Sequence, residues 1–167
     1  IYEYEGRDIV LAVEPEPDCL WSSAAEFADL WRGELASAAA AKRHIGICYD
    51  ASHHELAPGP AGSGLEKCLR MGMRIGKIHL SAALGAPDIA SKDELAEFAD
   101  EVYLHQTKVF AADGTVSGFP DLPDAVSSAD RRLPWKIHYH LPIFGGGLLG
   151  GLRTEKAELL YVLELLK

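Results

Sequence analysis

An α/β fold with a parallel sheet is the class this sequence predicts, and three observations predict it. Strand-like and helix-like segments alternate four times along 167 residues. The strand-like segments are apolar on both faces, the pattern of strands covered by helices on each side. Each main strand also ends in an acid or a histidine, as in folds whose site gathers at the C-terminal strand ends.

The elements follow in order. The first strand reads DIVLAVE over 8 to 14, and Ser23 with Glu26 has capping-box spacing before a stripe of Phe27, Leu30, Trp31 and Leu35. The second strand is HIGICYD over 44 to 50, after the good helix former ASAAAAK. Ser63 and Glu66 form a second capping box, opening a short helix that stops at Gly72. The third strand is RIGKIHLS over 74 to 81, and Ser91 with Glu94 is a third capping box. The turn Ala112-Asp113-Gly114-Thr115 marks EVYLHQTKVF as one arm of an extended segment or hairpin. Asp121 caps a short helix, PWKIHYHLPIF over 134 to 144 is the last strand, and a final helix starts near Thr154. Two architectures remain open on these grounds: a doubly wound sheet, or part of a (β/α)₈ TIM barrel, which as a whole needs about 250 residues.

Composition narrows the function. The chain carries 25 acids against 16 bases, a formal charge of -9, so no nucleic-acid partner is expected. No apolar run approaches the roughly 18 residues of a transmembrane segment. Cys19, Cys48 and Cys68 have no paired spacing and read as free thiols, which points to a reducing cytoplasm.

The polar residues carry the chemistry. Glu14 ends the first strand, Asp50 the second with His53 beyond it, and His79 lies in the third; His138 and His140 share one face of the last. A parallel sheet brings these ends together. Small residues precede them at every second position, Val10 and Ala12 before Glu14, and Gly46 and Cys48 before Asp50, as a crowded concave face requires. Carboxylate plus imidazole is a borderline ligand set for a divalent metal ion such as Mn²⁺, Zn²⁺, Co²⁺ or Fe²⁺. Such an ion polarises a carbonyl or acidifies a bound water. His105 lies in the extended segment, where it could reach over the site. The loop Gly145-Gly146-Gly147-Leu148-Leu149-Gly150 matches G-x-G-x-x-G but lacks the strand and acid of a dinucleotide site. In barrel geometry the backbone amides of Gly146 and Gly147 would instead bind phosphate.

In order, LAVEPEP, HIGICYDASHH, KIHLSAAL, VYLHQ, DLPDA and HYHLPIF resemble the EboE-type metabolite-traffic proteins, which belong to the xylose-isomerase-like TIM barrels. The resemblance covers nearly the whole chain. It implies a single domain, the C-terminal half of such a barrel, with about the last four βα units present and the N-terminal half missing. A chain opening on Ile1 without methionine fits that expectation, and a half-barrel alone would be unstable or self-associating. The resemblance further implies metal ligands Glu14, Asp50 and His79, with Asp50-Ala51-Ser52-His53 as the Asp-x-x-His motif and His53 a substrate contact. The fourth ligand position, a glutamate in the isomerases and epimerases, falls on His138 or His140 here. Glu14 and His140 are then the candidate proton-transfer residues, and His138 the fourth ligand. The activity implied is a metal-dependent sugar or sugar-phosphate isomerase or epimerase acting on a small-molecule metabolite. The absent glutamate keeps two other readings open, a non-catalytic metabolite-traffic component and an endonuclease-IV-like hydrolase.

Overall fold

The computed structural model describes residues 5–144 and 148–167. It holds two sheets rather than one run of parallel strands. β1 (Leu11–Val13), β2 (Ile45–Asp50) and β3 (Arg74–His79) form a parallel sheet in the order β1-β2-β3. β4 (Ala82–Ala86), β5 (Thr107–Phe110), β6 (Val116–Phe119), β7 (Trp135–Leu141) and β8 (Arg153–Glu155) form a second sheet in the order β6-β5-β7-β4-β8. Every pairing in that second sheet is antiparallel.

The expected set of four parallel βα units is therefore overturned. Its last strand is β7, which pairs antiparallel with both β4 and β5. The reason lies in the connections. A parallel return needs a crossover of a dozen or more residues. Between β5 and β6 the chain has only a tight turn, with Gly114 N–H bonded to the Ala111 carbonyl, and that forces a hairpin. The run RIGKIHLS also breaks. β3 stops at His79, and after Leu80 and Ser81 the chain enters the other sheet as β4, buried at all five positions. Apolar runs of this kind carry no sign of strand direction.

Helices cover the parallel sheet. α1 (Ala24–Leu30) is capped as expected, Ser23 Oγ accepting the Glu26 N–H, and continues through a π turn over Trp31–Leu35. α2 (Ala39–His44) leads into β2, and α3 (Ala51–Glu55) is a single turn leaving it. α4 (Ser63–Arg70) starts from Gly62 in the left-handed conformation, with no hydrogen bond from a Ser63 cap. The third capping box is also absent: Ser91 bonds Asp88, and the segment forms 3₁₀ turns at Ala90–Lys92 and Leu95–Phe98. α5 (Leu122–Ser128) is capped by Asp121 as expected, whereas Thr154 lies in β8 and the last helix, α6, spans Ala157–Leu165.

Two cores result. Phe27, Trp31, Ile47, Tyr49, Leu65 and Val162 pack under the parallel sheet, and Leu84, Leu95, Leu122, Trp135 and Ile137 under the antiparallel one. Ala51, Ala82 and Leu159 join them. Two glycines of the parallel sheet sit against their neighbours with no room for a side chain. A Cβ on Gly46 would lie 2.5 Å from the Arg74 carbonyl oxygen, and one on Gly76 2.8 Å from Ala12 Cβ. Glycine is thus required at both positions.

One irregularity positions the site. Ile47 pairs with Ile75 but Cys48 with Lys77, so β3 carries one extra residue at Gly76. Without this bulge His79 would face away from Asp50, because a one-residue slip reverses every later side chain. With it, Asp50 and His79 are register partners.

Among the described residues, no helix is long and apolar enough to cross a membrane.

Candidate metal centre

The site lies between the two sheets, and each supplies half of it. The parallel sheet delivers Glu14, Asp50 and His79 from three adjacent strand ends. His79 Nδ1 lies 3.0 Å from Glu14 Oε1 and 3.0 Å from Asp50 Oδ2. Asp50 also caps α3, Oδ1 accepting the Ser52 N–H at 2.8 Å, which aims His53 of that turn at the cluster. The antiparallel sheet delivers His138 and His140 from one face of β7. His140 Nδ1 approaches Asp50 Oδ2 to 3.7 Å, and the His53 ring meets His138 edge-on at 4.5 Å between centroids.

Proton positions follow from the fixed acceptors. His53 Nδ1 donates to the Pro15 carbonyl at 3.0 Å, and His138 Nδ1 to Gln106 Oε1 at 2.6 Å. Ser81 Oγ gives its proton to Asp50 Oδ1 at 3.1 Å and so accepts from His140 Nδ1 at 3.2 Å. All three imidazoles are thereby anchored through Nδ1 and present a bare Nε2. The Nε2 atoms of His138 and His140 face each other at 3.2 Å. Two lone pairs at that distance repel unless a cation lies beside them. A proton there is opposed by burial, which with the neighbouring His53 and His140 pushes His138 down to about 3. A metal ion beside the pair would be held by both lone pairs, with the Asp50 carboxylate nearby to offset the cost of its burial. Metal-ligating histidines show this same pattern, an Nδ1–H anchored on oxygen with Nε2 free for the ion.

The residues therefore fit a divalent cation of the borderline class. Donor atoms of His53, His138 and His140 lie within 4.8 Å of one another, as do those of Glu14, Asp50 and His53. Burial alone would raise the Asp50 carboxyl, but positive charge on His53 and His140 when they are protonated, with the hydrogen bonds from Ser52 and Ser81, outweighs it and holds the group below its usual range. Asp50 is thus an anion ready to ligate.

The structure brings together Glu14, Asp50, His53, His79, His138 and His140. His105 lies in the wall of the same cleft, of about 840 Å³, but is turned from the cluster. Its ring stacks on Tyr139 at 4.0 Å, its Nδ1 donates to the His138 carbonyl, and its Nε2 is buried without a partner. Gly146 and Gly147 lie outside the described residues.

Three contributors escape a reading for acids and histidines alone. Gln106 and Ser81 orient imidazoles. Cys48 Sγ lies 3.9 Å from both nitrogens of His79, and burial, with the nearby Glu14, pushes its thiol up to about 11. Cys48 was readable from its alternation with Asp50, and Gln106 from its place beside His105. Nothing local marked Ser81.

His54, adjacent to His53, is structural. Its Nδ1 donates to the Asp50 carbonyl and its Nε2 accepts the Ala24 N–H, both at 2.8 Å, so neither nitrogen remains for a ligand.

Compared with protein-family models, curated proteins and solved structures, the chain matches none.

Proposed function

We propose that the protein is a divalent-metal-dependent enzyme that acts on a small hydroxylated metabolite by proton transfer, in the manner of the isomerases and epimerases its motifs resemble. One observation carries this reading: three imidazoles with Nδ1 anchored and Nε2 free, facing a carboxylate pair across a cleft. When bound, the metal polarises a substrate carbonyl and eases loss of the neighbouring proton.

Exposure divides the roles. The Asp50 side chain is fully buried and His53 is 5% exposed, whereas Glu14 is 36% and His140 53% exposed. Asp50, His53 and His138 hold the cation, with Glu14 completing the set, and His79 orients the two carboxylates through Nδ1. Glu14 also faces the cleft as the base that takes the carbon-bound proton and, as the acid so formed, returns it, while the bare Nε2 of His140 accepts and returns a substrate hydroxyl proton. The same reading places the protein in a reducing cytoplasm, where Cys19, Cys48 and Cys68 stay free thiols.

The three-imidazole group favours a second reading. Neutral ligands leave a cation its full Lewis acidity, the setting for hydrolysis of a phosphate ester.

Metal analysis and solvent deuterium exchange into a panel of sugars and sugar phosphates test the proposal. Stoichiometric metal is expected in the wild type and its loss in Asp50→Asn. Exchange into substrate carbon is expected to fall by about 10²–10⁴ in Glu14→Gln with metal retained. Wild-type protein without metal, or metal retention indifferent to Asp50→Asn, would overturn the reading. Metal with turnover of bis(p-nitrophenyl) phosphate and no exchange would select the hydrolase, and metal without either a binding role.

A further inference from the structure

The two halves of the centre belong to different sheets, so its geometry depends on how those sheets are held together. His53 stands on α3, and His138 and His140 on β7. Two residues after His53, on the same helical turn, comes Glu55. Two residues before His138, on the same face of β7, comes Lys136. These two meet: Lys136 Nζ donates to Glu55 Oε1 at 2.7 Å, with the carboxylate 2% exposed. The other carboxylate oxygen, Oε2, accepts the Glu158 N–H at the start of α6 at 2.9 Å. Both oxygens of Glu55 are therefore committed, one to each neighbouring element.

A buried ion pair of this kind is an expensive way to gain stability. Its value lies in geometry. Short side-chain steps from the pair to His53 and to His138 leave little freedom between the imidazoles, whose ring centroids are 4.5 Å apart. We infer that Glu55 and Lys136 are positioning residues for the metal centre, a clamp that sets the α3 histidine against the β7 histidines. The inference rests on the metal reading above. Neither residue touches the cation or substrate.

A pairwise neighbour supplies the control. At the far end of the same buried network, Tyr49 Oη donates to Glu158 Oε2 at 2.8 Å. That bond tethers α6 to β2 and does not involve β7. Its loss weakens the network without releasing β7 from α3.

Cobalt(II) is the probe, read by its ligand-field absorption and its Kd in a competition titration on the full chain. Lys136→Met and Glu55→Gln are expected to weaken Co²⁺ about 10–100-fold, as loss of the contacts that hold metal ligands in place does, and to alter the band shape. Lys136→Arg retains the pair and is expected to bind within about threefold of wild type. Tyr49→Phe is expected to lower the melting temperature while leaving Co²⁺ affinity and spectrum unchanged. If Glu55→Gln fails to fold, Lys136→Met, changed at a partly exposed position, carries the test. Wild-type affinity and spectrum in Lys136→Met would overturn the clamp, and so would an equal loss of affinity in Tyr49→Phe. Wild-type protein that binds no cobalt would overturn the metal reading and the clamp with it.

Discussion

Two adjacent histidines have opposite fates, and the difference is one of unspent lone pairs. His53 spends only Nδ1, on the Pro15 carbonyl. His54 spends both nitrogens and stacks on Tyr49 at 4.0 Å. Burial pushes His54 down to about 4, so it holds its place as a neutral ring. His54→Phe preserves the stack but leaves the buried Ala24 N–H unpaired and removes the imidazole donor from the Asp50 carbonyl. The expected cost is about 1–3 kcal/mol in urea unfolding. A loss below about 0.5 kcal/mol would show that these two bonds are not what fixes the ring. His105 makes the converse point. Its neighbours in sequence suggested a substrate contact, but its orientation is set by the His138 carbonyl and the Tyr139 ring.

At the scale of elements, buried carboxylates dock the last helix. Glu158 in the first turn of α6 accepts from Tyr49 Oη and from the Gly62 N–H. Burial raises its carboxyl above the usual range, against the pull of those two hydrogen bonds. The native state thus keeps this proton at pH values where the unfolded chain, near 4.5, has released it. The stabilisation linked to that proton is complete below about pH 4.5 and is lost as the pH rises through the native value, at up to about 1.4 kcal/mol per pH unit. Glu158→Gln keeps an acceptor but no titrating proton. Its melting temperature, compared with wild type between pH 4 and 7, is expected to gain steadily on the wild type as the pH rises. Parallel profiles would show that Glu158 carries no linked proton. β3 shows how a single inserted residue acts at this scale. The alternation of Lys77 with His79 is visible in the sequence, but their alignment with Cys48 and Asp50 follows from the bulge at Gly76.

At the scale of the molecule, the centre spans two sheets with separate cores. A cation held from both sides stitches them together, and it binds the folded chain alone. At a hundred times its Kd such a ligand adds about 2.7 kcal/mol. For a chain of this size that corresponds to about 5–10 °C. Zinc or manganese is therefore expected to raise the melting temperature by about that amount, and a chelator to reverse it. Asp50→Asn is expected to abolish the shift. An unchanged melting curve on metal addition would count against a cation bridging the sheets.

The make-up of the cluster was legible because it depends on residue types at strand ends. Glu14, Asp50 and His79 close the three strands of a parallel sheet, and parallel strands carry their ends to one side whatever surrounds them. His138 and His140 were legible as a pair from their two-residue spacing. The direction of β7 was not legible. An apolar strand buried on both faces reads alike forwards and backwards, and only the short β5–β6 turn and the neighbours of β7 make it antiparallel. The sequence by itself thus determined which side chains can ligate and which strand ends bear them. Tertiary structure decided that they come from two sheets, that a bulge turns His79 inward, and that Ser81 and Gln106 orient the β7 imidazoles. Those contacts join residues far apart in the chain, and no local pattern of hydrophobicity encodes them.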